Sequence, residues 1–430
     1  MRPPPPTTTA PAPEPDRRAS GRRTPLWAVL AVTFLGSIGT GAVANGVFFL
    51  AESAYGFDKA QNFQLGVWMG ITYIAGALAI GPLLRAAARR FDWLSTRAAL
   101  GALLVLVGLV CQIPPAAGWL LAGEHAWTLW LSVGVFGPAT GAFWPICESY
   151  LSGARRGERL RSAVGRFNIT WASAVVLSYW LMAPVVEGSP LLVLALLGLV
   201  HVVAAVVLLW FPAEPAAHAP EDDKASESNP ASYRRLLTVF RVLLPLSYVL
   251  LAALNPFLVA ATAALQIEPG WKMLLASMWM LPRVVLFFAF ERWHGWHGRW
   301  WMPIAAGALF VAGFALAVLA PGLQDVTGRT GGIALLVVGL VAYGTGMSMA
   351  YVGALYYVLE VGEAQVDAGG SHEALIGVGY TLGPACGLLA VLGADRLGVS
   401  FETLLLVGIG ASCLGVAAIA GLLSIRRRAR

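Results

Sequence analysis

Charged residues are scarce in this chain: Asp, Glu, Lys and Arg make up 12% of its 430 residues. Hydrophobic residues make up 58%, and the mean hydropathy is +0.70. Because soluble domains carry about twice this share of charge, an ordinary soluble protein is excluded. The four cysteines and six histidines show no spacing typical of a metal site. We therefore expect no metal and no cofactor.

What the chain does contain is a series of long apolar runs separated by polar loops. A bilayer core about 30 Å thick is crossed by about 20 helical residues, so each run can span it. The twelve runs cover residues 26–50, 61–83, 95–114, 127–151, 163–186, 190–211, 237–262, 271–290, 301–320, 332–359, 372–393 and 401–425. This pattern predicts an all-α integral membrane protein with twelve transmembrane helices.

The basic residues predict the orientation of these helices. If the spans alternate, the loops on one side, together with both termini, hold 24 Lys and Arg residues, whereas the opposite loops hold 4. Because basic loops stay in the cytoplasm, both termini are predicted to be cytoplasmic in a multi-pass protein of the plasma (inner) membrane. The same scatter of basic residues explains the net charge of +6 without any binding of nucleic acid.

Polar segments divide the chain into two halves. Residues 1–25 are rich in Pro, Thr and Arg and predict a disordered cytoplasmic tail, and residues 426–430 form a short basic tail. Residues 212–236 predict a cytoplasmic linker between one six-helix bundle at 26–211 and another at 237–425.

The two halves are weakly similar to each other. Asn45 recurs as Asn255 after 210 residues, and Trp68 recurs as Trp279 after 211. This nearly constant offset favours duplicated halves related by an axis along the membrane normal.

Three local patterns resemble one known family. Residues 81–91 (GPLLRAAARRF) resemble its glycine-and-basic loop, although Arg85 stands near the position where the family usually has Asp. Residues 379–387 (GYTLGPACG) resemble its antiporter signature, which normally lies in span five and here lies in span eleven. Residues 143–171 resemble the span 4–5 region of poorly characterised bacterial members. With the twelve runs and the central loop, the chain resembles the major facilitator superfamily.

The resemblance implies two pseudo-symmetric six-helix bundles that surround a central site and work by alternating access. It also implies candidate gating residues in the loop after span two, which are Gly81, Arg85, Arg89 and Arg90.

Arg283 is the strongest candidate for a functional residue. It lies inside the eighth apolar run, where inserting a charged side chain into the membrane costs about 2.5–3.5 kcal/mol. The family architecture places span eight against span five, close to Asn168, Trp171 and Glu148. We expect Arg283 to bind an anionic substrate or to form a state-dependent ion pair. A static ion pair, or hydrogen bonds to carbonyls freed by Pro282, are the structural alternatives.

Other candidates are a carboxylate and several cavity-lining residues. Glu148 is interpreted either as a proton-coupling group or as a partner of Arg155 or Arg166. The family architecture lines the central cavity with spans one, four, five, seven, ten and eleven, which carry Asn45, Trp144, Trp171, Asn255, Tyr351 and Tyr380. Amides and aromatic faces there would suit an organic molecule, and packing is the alternative.

Three functions are weighed. The first is a monomeric secondary transporter of a small-molecule substrate, with proton coupling and simple facilitation both open; no phosphate loop for ATP is found. The second is a polytopic enzyme acting on lipid-linked substrates, whose nearest candidate groups are Glu360, Glu363, Asp367, His372 and Glu373. The third is a non-transporting sensor built on a transporter fold. The transporter is preferred.

Overall fold

The computed structural model describes residues 23–91, 94–121, 123, 125–155, 157–216, 231–360 and 366–428. Throughout these ranges the regular structure is helical. Most of the predicted N-terminal tail and linker, at residues 1–22 and 217–230, lies outside the described residues, as do 429–430.

Fifteen α-helices follow one another along the described chain. They are α1 Leu26–Thr40, α2 Val47–Tyr55, α3 Lys59–Arg90, α4 Thr96–Val110, α5 Ile113–Leu120, α6 Ala126–Ser152, α7 Gly157–Met182, α8 Pro190–Val207, α9 Ala231–Ala264, α10 Pro269–Ala276, α11 Leu281–Arg292, α12 Trp301–Leu319, α13 Gln324–Glu360, α14 Val366–Leu397 and α15 Phe401–Arg428.

Several of the helix boundaries follow from the local sequence. Asp58 and Gln61 form a capping box that starts α3, with each side chain bonded to the other residue's backbone N–H. Within α13, Gly328 has a φ of +72°, which separates a short first turn from the long apolar helix.

Two predicted spans are interrupted rather than continuous. A π-helical turn at Gly41–Asn45 separates α1 from α2, and a 3-10 turn at Ser277–Trp279 separates α10 from α11. Both interruptions fall beside predicted site residues, Asn45 and Arg283. Broken helices inside a membrane domain expose backbone polar groups and commonly mark a binding site.

Eleven of the described helical segments are long and apolar enough to cross a membrane. The predicted fifth span corresponds to α7, which begins with several charged residues, namely Glu158, Arg159, Arg161 and Arg166. The apolar stretch of α7 is therefore shorter than the helix itself, which has 26 residues. The count of twelve spans stays a prediction, and the all-α membrane architecture is confirmed.

Helices of the two halves meet along two main seams. In one seam α3 packs against α14, and in the other α7 packs against α11. The first seam is close: a Cβ atom at Gly70 would lie 2.5 Å from the backbone of Tyr380 and Thr381. Because only glycine permits this approach, the α3–α14 contact brings backbone against backbone.

Candidate functional site

Arg283 lies fully buried at the start of α11, immediately after the 3-10 turn and Pro282. Four aromatic rings surround its guanidinium group and will be called the aromatic box. The distances from Cζ to the ring centroids are 4.7 Å for Trp171, 5.3 Å for Tyr351, 5.5 Å for Phe287 and 5.8 Å for Trp279. A desolvated guanidinium over an aromatic face gains about 2 kcal/mol, which offsets part of the cost of burying the charge.

The hydrogen bonds of Arg283 are incomplete. Nη1 donates to Sδ of Met347 at 3.2 Å, whereas Nε and Nη2 are buried without a partner among the described residues. The N–H groups of Nε and Nη2 point from the same edge of the guanidinium plane. That edge can bind both oxygens of a carboxylate or phosphate. Neither structural alternative, a static ion pair or bonds to carbonyls near Pro282, is seen in the described part of the chain.

Two candidate carboxylates lie on helices that pack against each other, Glu373 on α14 and Glu148 on α6. Glu373, on α14, is 6% exposed and accepts a hydrogen bond from the hydroxyl of Tyr73 on α3. Glu148 lies on α6, which packs against α14, and its side chain is half-buried. Within the described ranges, no basic side chain forms an ion pair with either carboxylate.

Four tyrosines connect the carboxylates with Arg283, and they will be called the tyrosine cluster: Tyr73, Tyr248, Tyr351 and Tyr380. Tyr380 meets Tyr73 at 5.4 Å and Tyr248 at 5.7 Å between ring centroids, both edge-on. Tyr73 donates a hydrogen bond to Glu373, and the Tyr351 ring lies 5.3 Å from Cζ of Arg283. One cationic group and one acidic group therefore contact members of the same cluster.

The duplicated asparagines meet at the interface between the halves. Nδ2 of Asn255 donates to Oδ1 of Asn45 at 2.9 Å, and both side chains are buried. Asn45 closes the π-helical turn, and Asn255 precedes Pro256 inside α9. The two positions that the internal repeat identified are thus in direct contact.

The remaining sequence candidates have packing roles or lie on the surface. Asn168 accepts a hydrogen bond from Nε1 of Trp171 at 3.1 Å and so helps to fix one wall of the aromatic box. Trp144 packs edge-on against Phe143 and Phe167. The candidate gating residues lie at the end of α3, where Gly81 is half-buried and Arg85, Arg89 and Arg90 are exposed.

The suggested pairing of Glu148 with Arg155 is not seen. Arg155 donates instead to the carbonyl oxygens of Tyr150, Leu151 and Thr24, and Arg166 is exposed. Of the groups considered for a membrane enzyme, Glu363 lies outside the described residues, and Glu373 faces Tyr73. Glu373 is a candidate site residue to which the sequence interpretation gave too little weight.

A second electrostatic contact between the halves lies nearer one end of the helices and will be called the ion triad. Nζ of Lys272 on α10 lies 3.2 Å from Oε1 of Glu187 and 3.9 Å from Oε2 of Glu52. One turn further along, Nε1 of Trp180 donates to Oγ of Ser277 at 3.1 Å. These contacts hold the two halves together at this end.

An apolar crevice of about 730 Å³ opens between α7, α11 and α13, and its wall includes Val176, Trp180, Pro282, Val285 and Val341. Val285 is 66% exposed there, so the crevice faces outward, where lipid chains would lie. The polar chemistry is on the other face of α11.

Comparison with known proteins identifies the fold of this chain. No protein-family model and no curated protein sequence matches the chain. Two solved structures of nucleoside transporter NupG, one of them a mutant, superpose with TM-scores of 0.60 and 0.61 at 14% sequence identity. The match covers 92% of this chain and 98% or 99% of the other. The chain has the major facilitator fold. The resemblance inferred from the sequence is confirmed at that level, and the aromatic box and the two candidate carboxylates lie where the two halves of this fold meet.

Proposed function

We propose that this protein is a secondary transporter that moves a small organic anion across the membrane by alternating access. The observation that carries the proposal is the unpartnered edge of Arg283 inside the aromatic box. A buried charged donor without a partner costs more than about 1–3 kcal/mol, and a bound oxyanion removes that cost. The shared chemistry of the ligand is a planar carboxylate or a phosphate group.

The aromatic box adds a second preference to the charge. Trp171 and Tyr351 contribute flat apolar faces from the two halves, and their rings lie 5.6 Å apart. Such faces favour a ligand with a planar body beside the anionic group. The structural neighbours are described as nucleoside transporters, whose ligand also contains a planar ring. A neutral nucleoside, however, would leave the charge of Arg283 unmatched.

The interface between the halves supports alternating access. The Tyr73–Glu373 hydrogen bond, the asparagine pair and the ion triad each join one half to the other. Contacts of this kind can be exchanged as the halves rock around a central site. We propose a monomer in the inner membrane with both termini in the cytoplasm, as the distribution of basic residues favours.

Thermal denaturation of the purified full chain with three probes tests the binding site. The probes are benzoate, uridine and uridine monophosphate. We expect benzoate or uridine monophosphate to raise the melting temperature, and uridine to have little effect. The shift should disappear in Arg283→Ala and weaken in Arg283→Lys, because lysine lacks the two-donor edge. Arg396→Gln, at an exposed position, is the matched control. Stabilisation by uridine alone, or equal anion shifts in wild type and Arg283→Ala, would overturn the proposal.

A further inference from the structure

The guanidinium group of Arg283 is held at one nitrogen by a sulfur atom. Nη1 of Arg283 donates a hydrogen bond to Sδ of Met347 at 3.2 Å, and both side chains are fully buried. Met347 lies on α13, one helix turn after Tyr343. The thioether sulfur is a weak acceptor without a charge, so this contact leaves the positive charge of Arg283 almost uncompensated. The edge formed by Nε and Nη2 therefore keeps its full need for an oxyanion.

The sulfur atom is itself fixed by the surroundings of α13. The hydroxyl group of Tyr343 lies 3.2 Å from Sδ of Met347 and donates to the carbonyl oxygen of Ser247 on α9 at 2.7 Å. Because the hydroxyl group has one hydrogen and the carbonyl oxygen is the stronger acceptor, the sulfur keeps its lone pairs for the guanidinium group. A Cβ atom at Gly344 would lie 1.8 Å from the carbonyl oxygen of Trp279, so α13 also lies against the turn that precedes α11.

We propose that Met347 is a positioning residue for anion binding: its sulfur orients the guanidinium group of Arg283 so that the Nε and Nη2 edge stays free for the ligand. This inference rests on the proposed function. The aromatic box alone cannot set this orientation, because ring faces attract the charge but select no single N–H group. The sulfur selects Nη1. Orientation before binding raises the affinity, since the ligand does not have to bear the cost of ordering the side chain.

Two substitutions at Met347 separate orientation from packing. Met347→Leu keeps a similar apolar volume and removes the acceptor, whereas Met347→Gln keeps an acceptor in its amide oxygen and adds N–H groups to a fully buried position. An orienting role predicts that leucine weakens anion binding and that glutamine preserves it. A role in packing alone predicts the reverse, because leucine suits an apolar site and a buried amide does not. Met302→Leu, the same change at another fully buried methionine, is the matched control.

Anion binding and thermal denaturation are measured on the same purified full-length variants. For whichever of benzoate and uridine monophosphate binds wild type, the dissociation constant should rise about three- to tenfold in Met347→Leu, and by less than about twofold in Met347→Gln and Met302→Leu. The melting temperature without ligand should fall more in Met347→Gln than in Met347→Leu. An affinity in Met347→Leu equal to or higher than that of wild type would overturn the positioning role. A loss of affinity in Met347→Gln as large as in Met347→Leu would also overturn it.

Nuclear magnetic resonance of the arginine side chains, without any anion, tests the orientation alone. The Nη signals of Arg283 are assigned by their loss in Arg283→Lys. Wild type and Met302→Leu should show two separate Nη signals, because the sulfur slows rotation about the Nε–Cζ bond, and Met347→Leu should show one merged signal. A merged signal in wild type, or two separate signals in Met347→Leu, would overturn the positioning role. If neither anion binds wild type, the proposed function fails, while this measurement still decides whether Met347 orients the guanidinium group.

Discussion

Removing the charge of Lys272 is predicted to open the end of the molecule that the ion triad closes. The side chains of Lys272, Glu52 and Glu187 are 16%, 34% and 37% exposed, so solvent weakens both ion pairs. Partly exposed pairs contribute about 0.2–1 kcal/mol each, and we take about 1 kcal/mol for the two together. A loss of that size changes the ratio of closed to open molecules about fivefold.

Replacing Glu52 is predicted to act in the opposite direction. Burial raises the pKa of Glu52 above 4.5, the Lys272 ammonium opposes this by lowering it, and Glu187 raises it again. Because the net shift is upward, the closed form binds a proton at Glu52 more tightly than an open form with a solvated carboxyl. By linkage, acidification towards about pH 5 should favour closure, and so should Glu52→Gln. Lys272 therefore stabilises the closed end, and the Glu52 charge does not.

Chemical labelling at Ser277 measures the opening. Ser277 is buried and bonded to Trp180 across the interface, so Ser277→Cys should react with a membrane-impermeant maleimide only when this end opens. Adding Lys272→Met should raise the labelling rate about fivefold. Adding Glu52→Gln, or lowering the pH, should leave the rate unchanged or reduce it. The same variants without the introduced cysteine correct for labelling of native cysteines.

The control is Arg396→Gln, which removes a basic residue at an exposed position that makes no ion pair in the described part of the chain. It should leave the labelling rate unchanged. Equal rates in wild type and Lys272→Met, or a faster rate in Glu52→Gln than in Lys272→Met, would refute the reasoning about the triad.

Three further predictions concern stability. Asn255→Ala should lower the unfolding free energy by about 0.6 kcal/mol, and a double-mutant cycle with Asn45→Ala should assign that loss to their hydrogen bond. Gly344→Ala should cost about 1–3 kcal/mol in denaturant titrations, since its Cβ atom would lie 1.8 Å from the carbonyl oxygen of Trp279. Burial lowers the pKa of His297 from 6.5 to about 4, so the folded protein binds fewer protons than the unfolded chain between these pH values. The melting temperature should therefore fall as the pH is lowered from 6.5 to about 4, and it should fall less in His297→Phe.

Much of the fold could be predicted because the bilayer forces long apolar helices on the sequence. The interruptions could not, since neither the π-helical turn at Gly41–Asn45 nor the 3-10 turn at Ser277–Trp279 changes the hydropathy of its run. The weakest prediction was the fifth span, because charged residues occupy the first turns of α7.

Part of the candidate site could also be predicted, because the bilayer makes a charged residue inside an apolar run conspicuous. Arg283 stands out by the cost of a charge inside a span, and the spacing of 279, 283 and 287 favours one face. Glu373 did not stand out, because the apolar run begins at 372. The helix α14 in fact begins at Val366, so Glu373 lies two turns inside it, against Tyr73 of the other half. Contacts between distant helices, such as Met347 with Arg283, carry no signal in a single sequence.

Uptake into reconstituted vesicles tests the central claim most directly. Vesicles containing the full chain are supplied with labelled benzoate, uridine or uridine monophosphate. The account predicts saturable uptake of an anionic probe, reduced tenfold or more in Arg283→Ala, because at least one charge-assisted hydrogen bond worth about 1.5–3 kcal/mol is lost. Arg396→Gln should transport as wild type does. Undiminished uptake by Arg283→Ala, or a chemically altered product without any flux, would contradict the claim.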